Sequence, residues 1–431
     1  MSIKITDKKK CCGCEACAQI CAHDAITMQE DGEGFRYPVV DANLCVECGL
    51  CEQVCQYHEM PGKHKEEKYV FGGYHKDPAI RFESTSGGAF SAIVDAYCDE
   101  NYVIFGARAD GLRVYHSYIE DKNELSCFRK SKYSQSEIGD SYKQVKSFLK
   151  QGKKVLFSGT PCQIAGLRSF LRKQNQDNLL TVEVICEGVP SPLYVRKWDN
   201  RLKKCYGCSI KDIDYRYTGK AFFQSGLWDF EQTRLQLSDA ELGGGKSFNW
   251  SQQGKWDFQQ TKIILDDMKK TIIIDRWFNP FWSIWLNHLM SRPSCYDCQF
   301  TTAERGADIT LGDLWGVHLY CPELYGGNGG SSLVIANTGK GKAVLEKAKE
   351  SMYGHELQFE DALRYQGPMR KSIAENPERA AFMRDLQSEM PYKDINRKWA
   401  KKPSLRLLWQ KYVWGNRQKV FIWNLKNRNK K

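Results

Sequence analysis

Cys11-Cys12-Gly13-Cys14-Glu15-Ala16-Cys17-Ala18-Gln19-Ile20-Cys21 sets four cysteines at C-x2-C-x2-C-x3-C, and Cys45, Cys48, Cys51 and Cys55 repeat the spacing. In such a run three thiolates wrap one iron–sulfur cubane and the fourth reaches the cluster of the other half. That rule assigns Cys11, Cys14, Cys17 and Cys55 to one [4Fe–4S] cluster, and Cys45, Cys48, Cys51 and Cys21 to a second. Zinc is the competing metal, but tetrahedral zinc takes two CxxC pairs and leaves the third evenly spaced thiolate of each run surplus. The proline that usually follows the fourth cysteine is Ala22 in one half and Gln56 in the other, a change that bears on solvent access and potential but removes no ligand. Cys12 reads as a bystander.

Working outward, Ala25 to Met28, a glycine-containing turn at Asp31 to Gly34, and Phe35 to Val40 read as a hairpin joining the halves. Residues 60–68 form a polar link with a Pro-Gly breaker, where a domain boundary is expected. Farther on, the apolar run Val155 to Phe157, the turn Ser158-Gly159-Thr160-Pro161, a helix-period stretch over 162–173 and the β-rich Leu180 to Ile185 give strand, helix, strand. Connections this short predict a parallel pair with a right-handed crossover. A second α/β stretch takes in Ala307 to Leu311, a Gly-rich loop over 326–330, Ser332 to Ala336 and a helix over 340–351, while residues 209–275 read as strands and loops. The predicted class is α+β or α/β. A bacterial-type two-cluster ferredoxin module (1–59) and a linker (60–68) precede a larger mixed α/β domain in two parts (69–200 and 201–353), and a helical basic tail (354–431) follows.

At 431 residues and 42% hydrophobic content the chain builds a small module plus one or two larger cores. Eighteen cysteines would mean disulfides in a small secreted domain, but residues 1–10 are polar and lack the apolar run of a signal peptide. Reduced thiols and a cytoplasmic protein are expected. No stretch approaches the roughly 18–20 uninterrupted apolar residues that span a bilayer. The net charge of +11 belongs to the tail, where residues 391–431 hold 13 Lys and Arg against the single Asp394. A near-neutral body with no companion motif argues against nucleic acid as a partner. Trp399, Trp409, Trp414 and Trp423 interleave with those charges, so residues 399–425 read equally as a peripheral contact with an anionic membrane surface and as a helix packed on the body.

The other thiols are Cys98, Cys127, Cys162, Cys186, Cys205, Cys208, Cys295, Cys298 and Cys321, and taken singly each is more often a small buried apolar residue. Cys162 and Cys186, however, fall just beyond the carboxyl ends of the two strands expected to be neighbours, the edge where open α/β sheets bind ligands. Cys295-x2-Cys298 follows a proline and can swing to that edge, so Cys162, Cys186, Cys295 and Cys298 are candidates for a third [4Fe–4S] cluster. The rival set uses Cys205-x2-Cys208 as the paired ligands. Ser84-Thr85-Ser86-Gly87-Gly88 before a helix running to Cys98 suits a phosphate, or is a plain serine-rich N-cap.

Taken in order over about residues 1–350, Ser84 to Phe90, Ser131-Lys132-Tyr133, Phe157 to Leu167, Cys186 to Ser191, Arg292 to Cys298 and Ala307 to Gly316 resemble the coenzyme F420 hydrogenase/dehydrogenase beta-subunit family. The resemblance implies a flavoprotein that binds FAD beside an iron–sulfur cluster and exchanges a hydride with a deazaflavin or another organic substrate. Carried over, Ser84, Thr85, Ser86, Gly87, Gly88, Lys132, Tyr133, Thr160 and Gln163 would contact the flavin, and Cys162, Cys186, Cys295 and Cys298 would hold the flavin-side cluster. Where the family often shows Cys-His-Gly this chain has Cys186-Glu187-Gly188, so Glu187 substitutes in proton transfer or the substrate differs. Asp308 and Asp313 fall near the site as cofactor contacts or as structural turn residues. Glu187 and Asp313 are the catalytic candidates.

Clusters move single electrons whereas organic reductions need two, and a flavin converts between them. The expected activity is that of a flavin-dependent oxidoreductase, fed by its clusters and acting on coenzyme F420 or another small molecule. By resemblance alone, a sugar-linked substrate of cell-surface polysaccharide biosynthesis is one such molecule. The alternatives are a non-catalytic electron-transfer subunit that serves a donor or acceptor protein, and a non-redox scaffold stabilised by its clusters.

Overall fold

A computed structural model describes residues 2–58, 62–172, 174–217, 260–266, 270–324, 330–405 and 408. In the N-terminal module β1 (Ile26–Glu30) and β2 (Arg36–Val40) pair antiparallel with Ile26 opposite Val40, the expected hairpin. Asp31 shapes its turn, since one carboxylate oxygen accepts from the N–H groups of Glu33 (2.9 Å) and Phe35 (3.0 Å). Each cysteine run enters a short helix, Ala16–Ile20 or Leu50–Gln53, from a left-handed residue, Glu15 at φ 62° or Gly49 at φ 74°. That backbone is unfavourable for glutamate. Glu15 is held there from both sides of the module boundary: its carboxylate accepts from the N–H of Gly139 in the larger body at 3.1 Å and faces Arg36 of β2 at 3.4 Å.

The larger body contributes β3 (Tyr69–His75), β4 (Tyr102–Asp110), β5 (Arg113–Ile119), β6 (Lys154–Gly159), β7 (Leu179–Val184), β8 (Ile210–Tyr217), β9 (Gln260–Leu265), β10 (Thr271–Asp275), β11 (Ile309–Asp313), β12 (Ser332–Ala336) and β13 (Met352–Glu356). Eight of these make one mixed sheet in the order β13-β3-β12-β11-β7-β6-β4-β5. Strands β4, β6, β7 and β11 run parallel, and the helix Pro161–Leu171 makes the β6-to-β7 crossover that the sequence predicts. Helices cover both faces, so alternate residues of one strand serve two cores. Ile104, Leu156 and Leu180 pack with helices Ala89–Tyr97 and Gly339–Ala348, whereas Val103, Phe105, Val155 and Phe157 pack with Ser141–Lys150 and Pro161–Leu171. Each large side chain buried there contributes roughly 1.5–3 kcal/mol. Ala16 and Val54 of the N-terminal module belong to the second core, so module and body share it.

Strands β8 to β10 form a separate antiparallel sheet that packs, with Tyr215 of β8, against Tyr194, Trp198, Phe281, Trp282 and Trp285. They supply the strands expected within 209–275. Residues 218–259, all but Gly330 of the expected Gly-rich loop over 326–330, and nearly all of the tail after Leu405, including Trp409, Trp414 and Trp423, lie outside the described residues. Among the described residues no helix is long and apolar enough to cross a membrane. Because β12 is antiparallel to both β11 and β3, the carboxyl ends of β3, β4, β6, β7 and β11 share one edge of the large sheet.

Candidate functional site

In the N-terminal module the Cys17 thiol has Cys14, Cys11, Cys55 and Cys51 as electrostatic neighbours, the last two from the other run. Cys51 accepts from the N–H of Ile3 at 3.3 Å and packs in one small cluster with Cys17, Cys21 and Cys55. The two runs meet different surroundings. Cys14 lies against the body, where a Cβ on Gly166 would fall 2.9 Å from its own Cβ. Cys48 is exposed, and so are Leu44 and Val46 beside it.

At the carboxyl edge of the sheet Cys162 opens the helix after β6, with its thiol 3.2 Å from Thr160 Oγ1. Cys186 follows β7 and accepts from the N–H of Gly188 at 3.4 Å. The backbone carries Cys295 and Cys298 to the same place: Arg292 donates its N–H to Val189 O (3.0 Å) and Ser191 donates to Met290 O (2.8 Å). Gly188 is at φ +98°, and a Cβ there would lie 3.2 Å from that of Cys295. The thiols of Cys162, Cys186, Cys295 and Cys298 are electrostatic neighbours. Burial pushes Cys186 well up, Cys295 up to about 12 and Cys298 up to about 11. Cys162 is held down at about 7, first by its hydrogen bond with the Cys12 thiol. Buried thiols of this kind become thiolates when a metal centre takes the proton's place, and an all-thiolate set fits an iron–sulfur cluster. Among the described residues no three ligating side chains close on one point as a single bound ion needs. Of the rival pair, Cys205 is exposed on the last turn of the helix Pro192–Tyr206 and Cys208 packs against the aromatic core.

Cys12 is no bystander. It is buried where the two cysteine groups meet, within hydrogen-bond reach of the Cys14 and Cys162 thiols. Gln56, which stands where ferredoxin runs carry proline, donates from Nε2 to Cys12 Sγ (2.7 Å) and to Cys162 O (3.1 Å). The signals in the sequence were the doubled cysteine and the missing proline. Neither gives a direction in space.

Loop Ser84 to Gly88 lies at the same sheet edge, after β3 and the helix Pro78–Glu83. Ser84 Oγ donates to Ile80 O (2.8 Å), Thr85 Oγ1 accepts from the N–H of Ser131 (2.7 Å) and Ser86 Oγ donates to Ser331 O (2.8 Å). Gly87 is pressed on backbone, since a Cβ would lie 2.5 Å from Gly73 O, and Gly88 at φ +86° opens the helix Ala89–Tyr97. Lys132 Nζ donates to Arg129 O (2.7 Å), and burial pulls its pKa down to about 8. Tyr133 packs edge-on to Tyr215, Trp282 and Trp285. Thr160 and Gln163 form a capping box on the helix Pro161–Leu171. The Gln163 amide also donates to Ser136 Oγ at 2.9 Å, so its polar atoms are engaged within the protein.

Burial raises the Glu187 carboxyl, and Arg276 partly offsets that. Asp313, at the end of β11, pairs with Arg216 at 2.7 Å in a largely buried contact beside Tyr133. Asp308 sits just before β11, at the opposite edge, where it accepts from Thr181 N–H (2.9 Å), Thr181 Oγ1 (2.7 Å) and Thr338 Oγ1 (2.8 Å). Of the two roles open to it, this is the structural one.

Fold and cysteines together define an iron–sulfur electron-transfer protein, and residues 10–58 match the 4Fe-4S dicluster domain. Residues 152–361, which hold Cys162, Cys186, Cys295 and Cys298, match the family described as the C terminus of the coenzyme F420 hydrogenase/dehydrogenase beta subunit. The two matches together support an oxidoreductase. Among solved structures it is similar to a chain of the F420-reducing [NiFe] hydrogenase complex from Methanosarcina barkeri, with 14% identity over 78% of this chain and 91% of that one and a TM-score of 0.39. At that distance the likeness says nothing about function. No curated protein matches.

Proposed function

We propose that the chain is a flavin-dependent reductase or dehydrogenase of the cytoplasm. Electrons would pass from the cluster of Cys45, Cys48, Cys51 and Cys21 through that of Cys11, Cys14, Cys17 and Cys55 to a third cluster on Cys162, Cys186, Cys295 and Cys298. FAD would lie on Ser84 to Gly88 with Lys132, Tyr133, Thr160 and Gln163 around it. When bound, it supplies the conversion of single electrons into a hydride for coenzyme F420 or another organic substrate, such as a sugar-linked precursor of a cell-surface polysaccharide. The protein's own part is to keep water from the buried edge, to fix Tyr133 against its aromatic neighbours, and to hold a proton on Glu187, whose carboxyl is raised by burial.

One observation carries the reading: four cysteines from three distant segments and the Ser84–Gly88 loop meet at one edge of the sheet, with Cys12 between Cys162 and Cys14. Anaerobic purification with metal count and cofactor extraction tests it. About twelve iron and one flavin per chain are expected. About eight iron would remove the third cluster, and flavin-free holoprotein would remove the reductase. The exposure of Cys48, Leu44 and Val46 favours a second reading, a subunit that only exchanges electrons with a partner protein. Activity of the lone chain separates the two.

A further inference from the structure

Arg292 is 1% exposed, yet among the described residues its guanidinium makes no ion pair with a carboxylate. Nε donates to Cys11 O (3.0 Å), Nη1 to Gln135 Oε1 (3.0 Å) and Nη2 to Arg36 O (2.9 Å), all neutral acceptors. The guanidinium carbon lies 4.4 Å from the Tyr37 ring centre and 5.5 Å from that of Phe35. The nearby acids are committed elsewhere, Glu15 to Arg36 and Gly139, and Glu137 to Arg36 and Arg113. Gly13 at φ +68° lets the first cysteine loop close over this cation, for a Cβ there would lie 2.9 Å from Nη1.

A buried charge without a counter-charge is costly enough that proteins pair it or neutralise it, and arginine stays protonated. The missing anion must therefore be something the surroundings can hold. Nη2 lies 3.9 Å from Cys11 Sγ, and Cys295, whose N–H donates to Arg292 O at 2.9 Å, is an electrostatic neighbour through its thiol. A cubane on four thiolates is an anion, and net charge and hydrogen bonds near its sulfurs set its potential.

We propose that Arg292 is the shared counter-charge of two clusters, that of Cys11, Cys14, Cys17 and Cys55 and that of Cys162, Cys186, Cys295 and Cys298, and raises the reduction potential of both. The second half rests on the third cluster proposed above; the first needs only the dicluster module. Arg292 is a positioning residue: it ligates nothing and touches no substrate. Its charge biases an electron arriving on the exposed Cys48 side to settle inward, one cluster being oxidised as the next is reduced.

The test is a potentiometric titration, followed by electron paramagnetic resonance, of the full-length, anaerobically reconstituted protein. Arg292→Gln should make reduction of both inner clusters at least about tenfold less favourable, which is about 59 mV for a one-electron couple, and leave the Cys45 cluster unmoved. Arg292→Lys keeps the charge and should hold both potentials near the parent's. Gln135→Glu sets a carboxylate on Nη1 without removing Arg292, and should lower both potentials even if Arg292→Gln does not load its clusters. Unchanged inner potentials in Gln135→Glu and Arg292→Gln, or an equal fall in Arg292→Lys, would overturn the proposal. If the parent holds about eight iron per chain, the third cluster fails by itself, and the potential of the Cys11 cluster still decides the role of Arg292.

Discussion

Gln56 and Cys12 are joined by a 2.7 Å hydrogen bond from the Gln56 amide to the Cys12 sulfur, and the same amide reaches Cys162 O at 3.1 Å. A side chain at the end of the N-terminal module thus ties a thiol of that module to the first turn of the helix after β6. Restoring the usual ferredoxin residue with Gln56→Pro removes both bonds and strands buried acceptors. A loss of about 1–3 kcal/mol is expected, read by denaturant unfolding. Unchanged stability would mean that the contact adds nothing to docking.

Arg379 reaches the module from the other side, with Nη1 at 3.1 Å and Nη2 at 2.5 Å from the Glu33 carboxylate in a mostly buried pair. Arg379→Ala leaves Glu33 uncompensated and should cost about 3 kcal/mol. Faster proteolysis after residue 61 would accompany it, as the module loosens from the body. The double variant Glu33→Ala with Arg379→Ala should recover part of the loss.

Gly188→Ala is expected to act on the four-cysteine group alone. Its φ of +98° strains any side chain and the 3.2 Å approach to Cys295 is tighter than ordinary contact, so a methyl group shifts Cys186 or Cys295 by a few tenths of an ångström. If those thiols hold a cluster, iron analysis should fall by about four per chain while the N-terminal clusters stay.

Acid should weaken the fold through His116. The ring stacks on Phe157 and bonds to Ser136 Oγ and Ser158 O at 2.9 Å each, and burial lowers its pKa to about 4. The folded ring takes its proton only near that value, whereas the unfolded ring takes it near 6.5, so stability present above pH 6.5 is lost between there and pH 4. The loss amounts to about 3 kcal/mol. His116→Gln should flatten that part of the stability curve.

Glu187 should carry the pH dependence of any turnover. Because burial raises its carboxyl, it keeps its proton to a higher pH than an exposed glutamate, and activity that needs the acid falls as pH rises through that raised value. Glu187→Gln should abolish this limb of the profile while iron and flavin content stay at the parent's level.

Much of the fold was legible because its signals are local. The hairpin of Ile26 and Val40, the β6–β7 crossover and the helix from Pro161 follow from turn residues and periodicity. The capping box of Thr160 and Gln163 was legible as a turn into a helix, yet the sequence could not tell a helix cap from a ligand contact. Asp308 was ambiguous for the same reason, since its partners Thr181 and Thr338 are far away in the chain.

By itself the sequence determined the number and spacing of the N-terminal thiols, and with them the iron–sulfur chemistry, because cubane ligation depends on a short run of chain. Only the tertiary structure decided what stands between the cysteine groups: Cys12 held by Gln56, and Arg292 folded under Cys11 with no acid paired to it among the described residues. Spacing along a chain fixes distances over a few residues, whereas burial of a charge depends on what the whole fold packs around it.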